Sequence, residues 1–372
     1  MAYSSVGRPV FYIDNYLYHK TIGTTMTTID YDGEFGFITP DNAPDMFTLS
    51  PALPKILLDI TGEESNIVNV PMTSEFENFD LTGNMKTYIA VLNHNGLSNF
   101  GAGYIDPVTT NSYYFNNNEN QPNATEVLNA SHDGSWYQCK RGSTIVTGSD
   151  QIVGAGFLIT LFGSTAVGAI STGIQYTMPH SPDLKLSMEI EMDGIQTMKT
   201  SGGASFSNVN YSGNPLWVNY GEDVYSEDAS RTNCFDVYGS EGLDVTKTGA
   251  RRNGRRSWNL KFSYISDKDL FSSNLGGSFY SEHGIDGTMS SHYDADDIAS
   301  DDETMEYSIE TDDSFYAQVW NKTLGGALPF IFQPNSNFLD EFYICKFDQN
   351  SLKISQSAYK VYDISVKIVE TW

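Results

Sequence analysis

The chain has 372 residues, of which 40% are hydrophobic and 13% aromatic, and its formal net charge is −26. A disordered chain is excluded, because disorder requires few aromatic residues and little apolar surface to bury. The charge argues against nucleic acid and anionic membranes as partners, because affinity for phosphates comes largely from Lys and Arg. We therefore expect no specific nucleic-acid binding and no membrane association, and the length predicts two or three domains.

The first residues and the cysteines bear on the compartment. Residues 1–20 lack a basic segment followed by an apolar one, so we expect no signal peptide. The three cysteines, Cys139, Cys234 and Cys345, are far apart and show no metal-binding spacing. They indicate free thiols made in a reducing cytoplasm. We assign no cofactor and no metal ligand.

Alternation of apolar and polar residues dominates the chain and predicts strands. Residues 184–192, 260–265 and 362–369 each alternate with a period of two, and the first of these ends at a hairpin turn, Asp193-Gly194. The uncharged stretch from Ile152 to Ile170 is nearly long enough to cross a bilayer. Its glycines favour a pair of buried strands broken at Gly163-Ser164 instead. The pattern predicts an all-β protein built from antiparallel sandwiches or barrels.

Three blocks follow from the spacing of strands and turns. Residues 1–75 form an N-terminal β segment, residues 76–200 a β-sandwich, and residues 201–372 a further β domain with an acidic insertion at 270–315. The Gly-rich run 201–205 is interpreted as a flexible connection.

The insertion contains the most acidic part of the chain, residues 294–313, in which ten of twenty residues are Asp or Glu. A solvated loop and a calcium site both fit such a cluster. The spacing does not match the DxDxDG loop, so no metal is assigned.

Motifs for catalysis are absent from the sequence. The six histidines show neither HxxxH nor HExxH spacing, and neither a GxSxG elbow nor a P-loop occurs. With 47 acidic residues, some carboxylate pair always suits a glycosidase, so composition does not support that activity. We predict that the protein is not an enzyme. Trp136, Tyr137 and Trp217 could stack on sugar rings, although packing in the core is the commoner role of aromatic residues in β-sandwiches.

A basic cluster stands out against the acidic chain. Residues 247–258 read KTGARRNGRRSW. Arginine forms bidentate contacts with carboxylates and is enriched at protein interfaces. Docking onto the acidic surface of a second copy is therefore predicted for Arg251, Arg252, Arg255 and Arg256, with Trp258 beside them.

Four segments of the third block carry a resemblance to a known family. They read RSWNLKFSYIS at 256–266, LGGALPFIFQP at 324–334, FYICKF at 342–347 and YKVYDISVKIVETW at 359–372. In this order they resemble the distal tail and minor tail proteins of tailed bacteriophages. In the middle block, YIAVLNHN at 88–95 is similar to a strand of the galectin-like or discoidin-like sandwiches inserted in such proteins.

The resemblance implies a structural protein of the virion tail tip or baseplate, made in the host cytoplasm. It implies a tail-tube-like β domain, with which residues 1–75 would pair, and a galectin- or discoidin-like sandwich. Its implied partners are itself, in a hexameric or trimeric ring, other tail proteins, and a host-surface glycan at the middle sandwich. Phe330, Phe332 and Trp372 then join the candidate subunit interface. A carbohydrate-binding or capsid-decoration protein and a glycan-degrading enzyme are the alternatives.

Overall fold

The fold comes from a computed structural model of the chain. The structure describes residues 6–24, 37–38, 40–41, 43–50, 56–58, 66–71, 79–80, 85–94, 100–105, 112–114, 128–129, 142–147, 151–152, 156–161, 165–184, 187–191, 195–209, 255–271, 312–338 and 342–371.

The described residues form mainly β-strands, which confirms the all-β prediction. The strands of the first half are β1 Val10–Asp14, β2 Phe37–Ile38, β3 Ile56–Leu58, β4 Asn66–Pro71, β5 Phe79–Asp80, β6 Met85–His94, β7 Phe100–Ile105, β8 Ser112–Tyr114, β9 Leu128–Asn129, β10 Gly142–Thr147, β11 Gln151–Ile152, β12 Gly156–Leu161, β13 Thr165–Val167 and β14 Ala169–Thr177. Those of the second half are β15 Ser187–Glu191, β16 Ile195–Lys199, β17 Ser205–Val209, β18 Arg255–Ser266, β19 Phe330–Gln333, β20 Tyr343–Phe347, β21 Lys353–Ala358 and β22 Val361–Glu370.

One large antiparallel sheet organises the described part of the chain. Its eleven strands run in the order β15-β18-β22-β20-β19-β1-β14-β6-β10-β9, with β21 also paired to β22. A five-stranded sheet has the order β2-β4-β12-β7-β8, in which β2 and β4 are parallel. The large sheet joins strands from all three predicted blocks, and the block boundaries stay predictions.

The centre of the large sheet is β1, which is buried on both faces. Phe11 and Ile13 point into one apolar cluster, and Val10 and Tyr12 point into the other. Because successive side chains of a strand point to opposite faces, a central strand with two buried faces needs a nearly continuous apolar sequence. VFYID meets that need up to its final residue, Asp14.

The alternating segments behave as predicted in β18 and β22. Trp258, Leu260 and Phe262 are buried in β18, and Ile364, Val366 and Ile368 are buried in β22. The register shifts between Phe262 and Ile265, which places two successive residues, Ser263 and Tyr264, on the outer side. Tyr264 takes a φ of 64°, typical of a β-bulge.

The described residues also contain one eight-residue helix and three shorter helical elements. Helix α1 is Asn15–Ile22, a 3-10 helix is Pro44–Phe47, α2 is Asp267–Leu270, and a π-helix is Tyr316–Asn321. The side chain of Asp14 caps α1 by accepting a hydrogen bond from the backbone N–H of Leu17, and Gly23 ends α1 in the left-handed conformation. None of the helices in the described part of the chain is long and apolar enough to cross a membrane.

The uncharged stretch 152–170 forms strands, but it forms more than the predicted pair. β12 lies before the predicted break at Gly163-Ser164, and β13 and β14 follow it. The break itself lies outside the described residues.

Candidate functional site

Five of the eight predicted interface residues belong to the described part of the chain. Arg255, Arg256 and Trp258 lie on β18, and Phe330 and Phe332 lie on β19. Arg251, Arg252 and Trp372 lie outside it, as do the aromatic residues considered for sugar binding and most of the acidic stretch 294–313.

The three predicted interface aromatic residues that the structure describes pack inside the chain. Trp258 is 2% exposed, and Phe330 and Phe332 are fully buried. The ring of Trp258 lies 5.3 Å from that of Phe332, and the ring of Phe330 lies 4.7 Å from that of Phe347. Enclosed in this way, they offer little surface to a second copy, and the predicted interface then depends on the arginines.

Arg256 makes contacts within its own chain. Its guanidinium lies over the ring of Tyr343, 4.6 Å from the ring centre, which is the geometry of a cation–π interaction. Its backbone N–H donates to the Glu370 carboxylate over 3.0 Å. Cys345 lies opposite Glu370 in the pairing of β20 with β22. The basic end of the sheet, which we define as Arg255, Arg256, Tyr343, Cys345 and Glu370, is therefore partly neutralised from within.

Burial controls the titration of this basic end. The Glu370 side chain belongs to a residue that is 2% exposed, and loss of solvent raises its pKa above the ordinary value. The backbone hydrogen bond from Arg256 and the charges of both arginines act against this increase. Burial, together with the Glu370 charge, also holds the pKa of the Cys345 thiol well above its usual range. A buried thiol of this kind is chemically inert.

The strand β15 pairs with β18, the strand that carries Arg255 and Arg256. Among the described residues, β15 is the outermost strand at that end of the large sheet. Glu189 and Glu191 are exposed on it, and Ile190 is 53% exposed. Leu184, just before it, is fully exposed. The segment 184–192 was predicted to be a half-buried strand. Met188 packs against the core, whereas Leu184 and Ile190 are exposed, so only part of its apolar side meets the core.

The exposed ribbon, which we define as β16, β17 and the turn between them, extends the chain after β15. The two strands pair antiparallel, with Met198 opposite Phe206. Met198 is 72% exposed and Phe206 is 62% exposed. The backbone N–H of Gly203 donates to the Thr200 carbonyl, and that of Thr200 donates to the Ala204 carbonyl. Interpreting 201–205 as a flexible connection was therefore wrong, because these residues form the turn of a hairpin.

The ribbon could have been predicted from its turn residues, although not from an alternation of apolar and polar residues. Ile195 and Met198 do not alternate with a period of two, so the first strand shows no amphipathic pattern. The Gly-Gly pair at 202–203, between two segments containing β-branched and aromatic residues, is nevertheless a typical hairpin turn.

Within the described ranges, no group of three or more His, Cys, Asp or Glu side chains could hold a metal ion.

Comparison of the chain with family models, curated proteins and solved structures found no match.

Proposed function

We propose that this chain is a structural protein of a bacteriophage tail tip, which assembles with copies of itself into a ring and docks other tip proteins. The resemblance of its third block to tail proteins motivates the proposal. The large antiparallel sheet supports it, because an all-β chain is what such a protein requires.

The observation that carries the proposal is the exposed ribbon. Two strands alone are marginally stable in water, because neither face is covered. In this ribbon residues 196–207 are all exposed, and they include the cross-strand pair of Met198 and Phe206. Aromatic and methionine side chains are enriched where proteins meet. Contact with a second copy would bury both side chains and stabilise the ribbon.

The strand β15 gives the ribbon a neighbour that can also receive a partner. An outer strand presents unpaired backbone groups along its free side, which other chains can pair with. Closure of a ring removes such edges. In the proposed assembly β15 and the ribbon lie at the same subunit boundary.

The net charge of −26 fits a channel through which DNA passes. Like charge repels a phosphate backbone, so acidic side chains lining a channel would keep DNA from adhering to it.

Sedimentation of the purified full-length protein tests the proposal. We expect the wild-type chain to sediment as an oligomer and the double variant Met198→Ser with Phe206→Ser to sediment as a folded monomer. The matched control is Tyr264→Ser with Tyr359→Ser, which removes two aromatic rings that are 77% and 84% exposed elsewhere. A wild-type monomer at all concentrations, or equal oligomers in the ribbon variant, would overturn the role of the ribbon.

A further inference from the structure

A row of buried polar side chains crosses the centre of the large sheet. Asp14 on β1 lies opposite Gly173 on β14, and Gly173 lies opposite Tyr88 on β6. Gly173 has no side chain, so the space between Asp14 and Tyr88 is taken by Ser171, two residues earlier on the same face of β14. None of these side chains was predicted from the sequence to have a functional role.

Hydrogen bonds link the three side chains in series. The Ser171 hydroxyl donates to the Asp14 carboxylate over 2.7 Å, and the Ser171 and Tyr88 oxygens are 2.7 Å apart. The other carboxylate oxygen of Asp14 accepts from the backbone N–H of Leu17 over 2.8 Å. Asp14 is 4% exposed, and Ser171 and Tyr88 are each 1% exposed. A carboxylate in this position is removed from water almost completely.

The direction of the chain of hydrogen bonds depends on the proton of Asp14. An ionised carboxylate only accepts, so Ser171 must donate to it and Tyr88 must donate to Ser171. A protonated carboxyl can donate to Ser171 from the same oxygen, and Ser171 then donates to Tyr88. The ionised state therefore fixes the orientation of two hydroxyl groups inside the core, whereas the protonated state also permits the opposite orientation.

We propose that Asp14, Ser171 and Tyr88 form a proton-controlled switch that loosens the centre of the large sheet when Asp14 loses its proton. The switch is independent of the proposed function. It follows from the position of Asp14, which is at once the last residue of the central strand β1 and the cap of helix α1. A change at this residue acts on the strand, the helix and the neighbouring strand β14 together.

Burial places the transition near neutral pH. Loss of solvent raises the pKa of Asp14 to about 7, against the opposing effect of its hydrogen bonds from Leu17, Ser171 and Tyr16. The other titratable and charged groups on the elements around Asp14 lie on β1, α1, β6 and β14. They are Tyr12 on β1, Tyr16, Tyr18, His19 and Lys20 on α1, Lys86, Tyr88 and His94 on β6, and Tyr176 on β14. Burial raises the pKa of Tyr88 and of Tyr16, and the charge of Asp14 adds to the increase, so both tyrosines stay protonated while Asp14 titrates.

The sign of the effect on stability follows from linkage. The pKa of Asp14 is higher in the folded chain than in the unfolded chain, where an Asp titrates at about 3.9. The folded chain therefore keeps a proton that the unfolded chain releases between these two values. The contribution of Asp14 to the stability of the fold is complete below about pH 4 and is lost as the pH rises towards about 7. Above about pH 7 this residue causes no further change in stability.

Urea unfolding of the full-length protein at a series of pH values tests the switch, with Asp14→Asn as the variant that cannot titrate. The asparagine keeps an oxygen for Leu17 and offers N–H groups to Ser171. We expect the unfolding constant of the wild type, divided by that of Asp14→Asn, to rise about tenfold for each pH unit between pH 5 and 7. Taking the ratio removes the contribution of the many surface carboxylates. A ratio that stays constant over this range would overturn the proposal.

The control variant is Tyr12→Phe. It removes a buried hydroxyl that donates to Gln333 over 2.7 Å, next to Tyr88 but outside the Asp14 chain of hydrogen bonds. We expect it to weaken the fold equally at every pH, so that its ratio to the wild type does not change. A ratio that varied with pH in this control as it does in Asp14→Asn would contradict the assignment to Asp14.

A direct titration keeps the proposal testable if Asp14→Asn does not fold. In wild-type protein labelled with carbon-13 at the aspartate carboxyl groups, one carboxyl signal should titrate near pH 7. Ser171→Ala removes a hydrogen bond that favours the ionised form, so it should move that midpoint upwards. A wild-type spectrum in which every aspartate titrates below about pH 5, as ordinary carboxyl groups do, would overturn the proposal.

Discussion

The carboxylate of Glu370 accepts a hydrogen bond from the backbone N–H of Arg256, with 3.0 Å between nitrogen and oxygen. Glu370 belongs to β22, which lies between β18 and β20 in the large sheet. The same arginine turns its guanidinium onto Tyr343 of β20. Arg256 therefore joins three neighbouring strands of one chain, and this limits what it can contribute to a contact with another.

Arg256→Ala should destabilise the fold. The substitution removes the ring contact with Tyr343 and a positive charge that opposes the burial of Glu370. A buried charge left wholly without compensation costs about 3 kcal/mol. Arg255 and the backbone N–H of residue 256 still compensate Glu370 in this variant. We therefore expect a measurable loss below that figure in the free energy of unfolding, measured by urea denaturation at neutral pH.

Glu370→Gln in the Arg256→Ala background supplies the control. The amide keeps an oxygen acceptor for the backbone N–H of residue 256 but carries no charge. If the charge of Glu370 causes the loss, the double variant should recover a large part of the stability. A double variant as unstable as Arg256→Ala would show that the loss comes from packing on Tyr343 alone.

Charge reversal in the basic cluster should separate assembly from folding. Replacing Arg251, Arg252, Arg255 and Arg256 together by Glu is expected to abolish oligomers, as judged by the mass in solution. Because Arg256 also supports its own fold, the informative variant reverses only Arg251 and Arg252. Unchanged oligomers in that variant, with the fold intact, would remove these two arginines from the interface.

Gly173→Ala should disrupt the centre of the large sheet. A Cβ at this position would lie 2.1 Å from the backbone carbonyl oxygen of Ile13, a contact that no side-chain movement relieves. We expect a loss of about 3 kcal/mol or more in the free energy of unfolding, because β1 and β14 must move apart.

Gly202→Ala is the matched control for this substitution. A Cβ at Gly202 meets nothing within 4 Å, and the residue lies in the turn of the exposed ribbon. We expect its effect to stay within about 0.5 kcal/mol. Similar losses for both variants in thermal or urea unfolding would contradict the close approach at Gly173.

The strands were predictable from the sequence where one face alone is buried. In β22 the residues Ile364, Val366 and Ile368 alternate with more exposed ones, and the pattern gives both the strand and its inner face. In β18 the pattern gives the strand but not the bulge at Tyr264, because a register shift depends on the partner strand. Helix α1 was not predicted, since it lacks an apolar stripe and is marked only by the caps Asp14 and Gly23.

The polar row was not predictable, because alternation identifies strands without identifying their partners. Asp14, Tyr88 and Ser171 are far apart in the sequence and meet only through the pairing of β1, β14 and β6. The same gap explains why Trp258 and Phe332 were assigned to a surface. Their rings contact each other across the core, and the sequence alone does not show which face of a strand is covered.

Assembly of this chain with its own copies is the central proposal. Electron microscopy of the purified wild-type protein, alone and with tail proteins added, tests it most directly. We expect hexameric or trimeric rings with a central channel. Only monomers, even in the presence of tail partners, would contradict it.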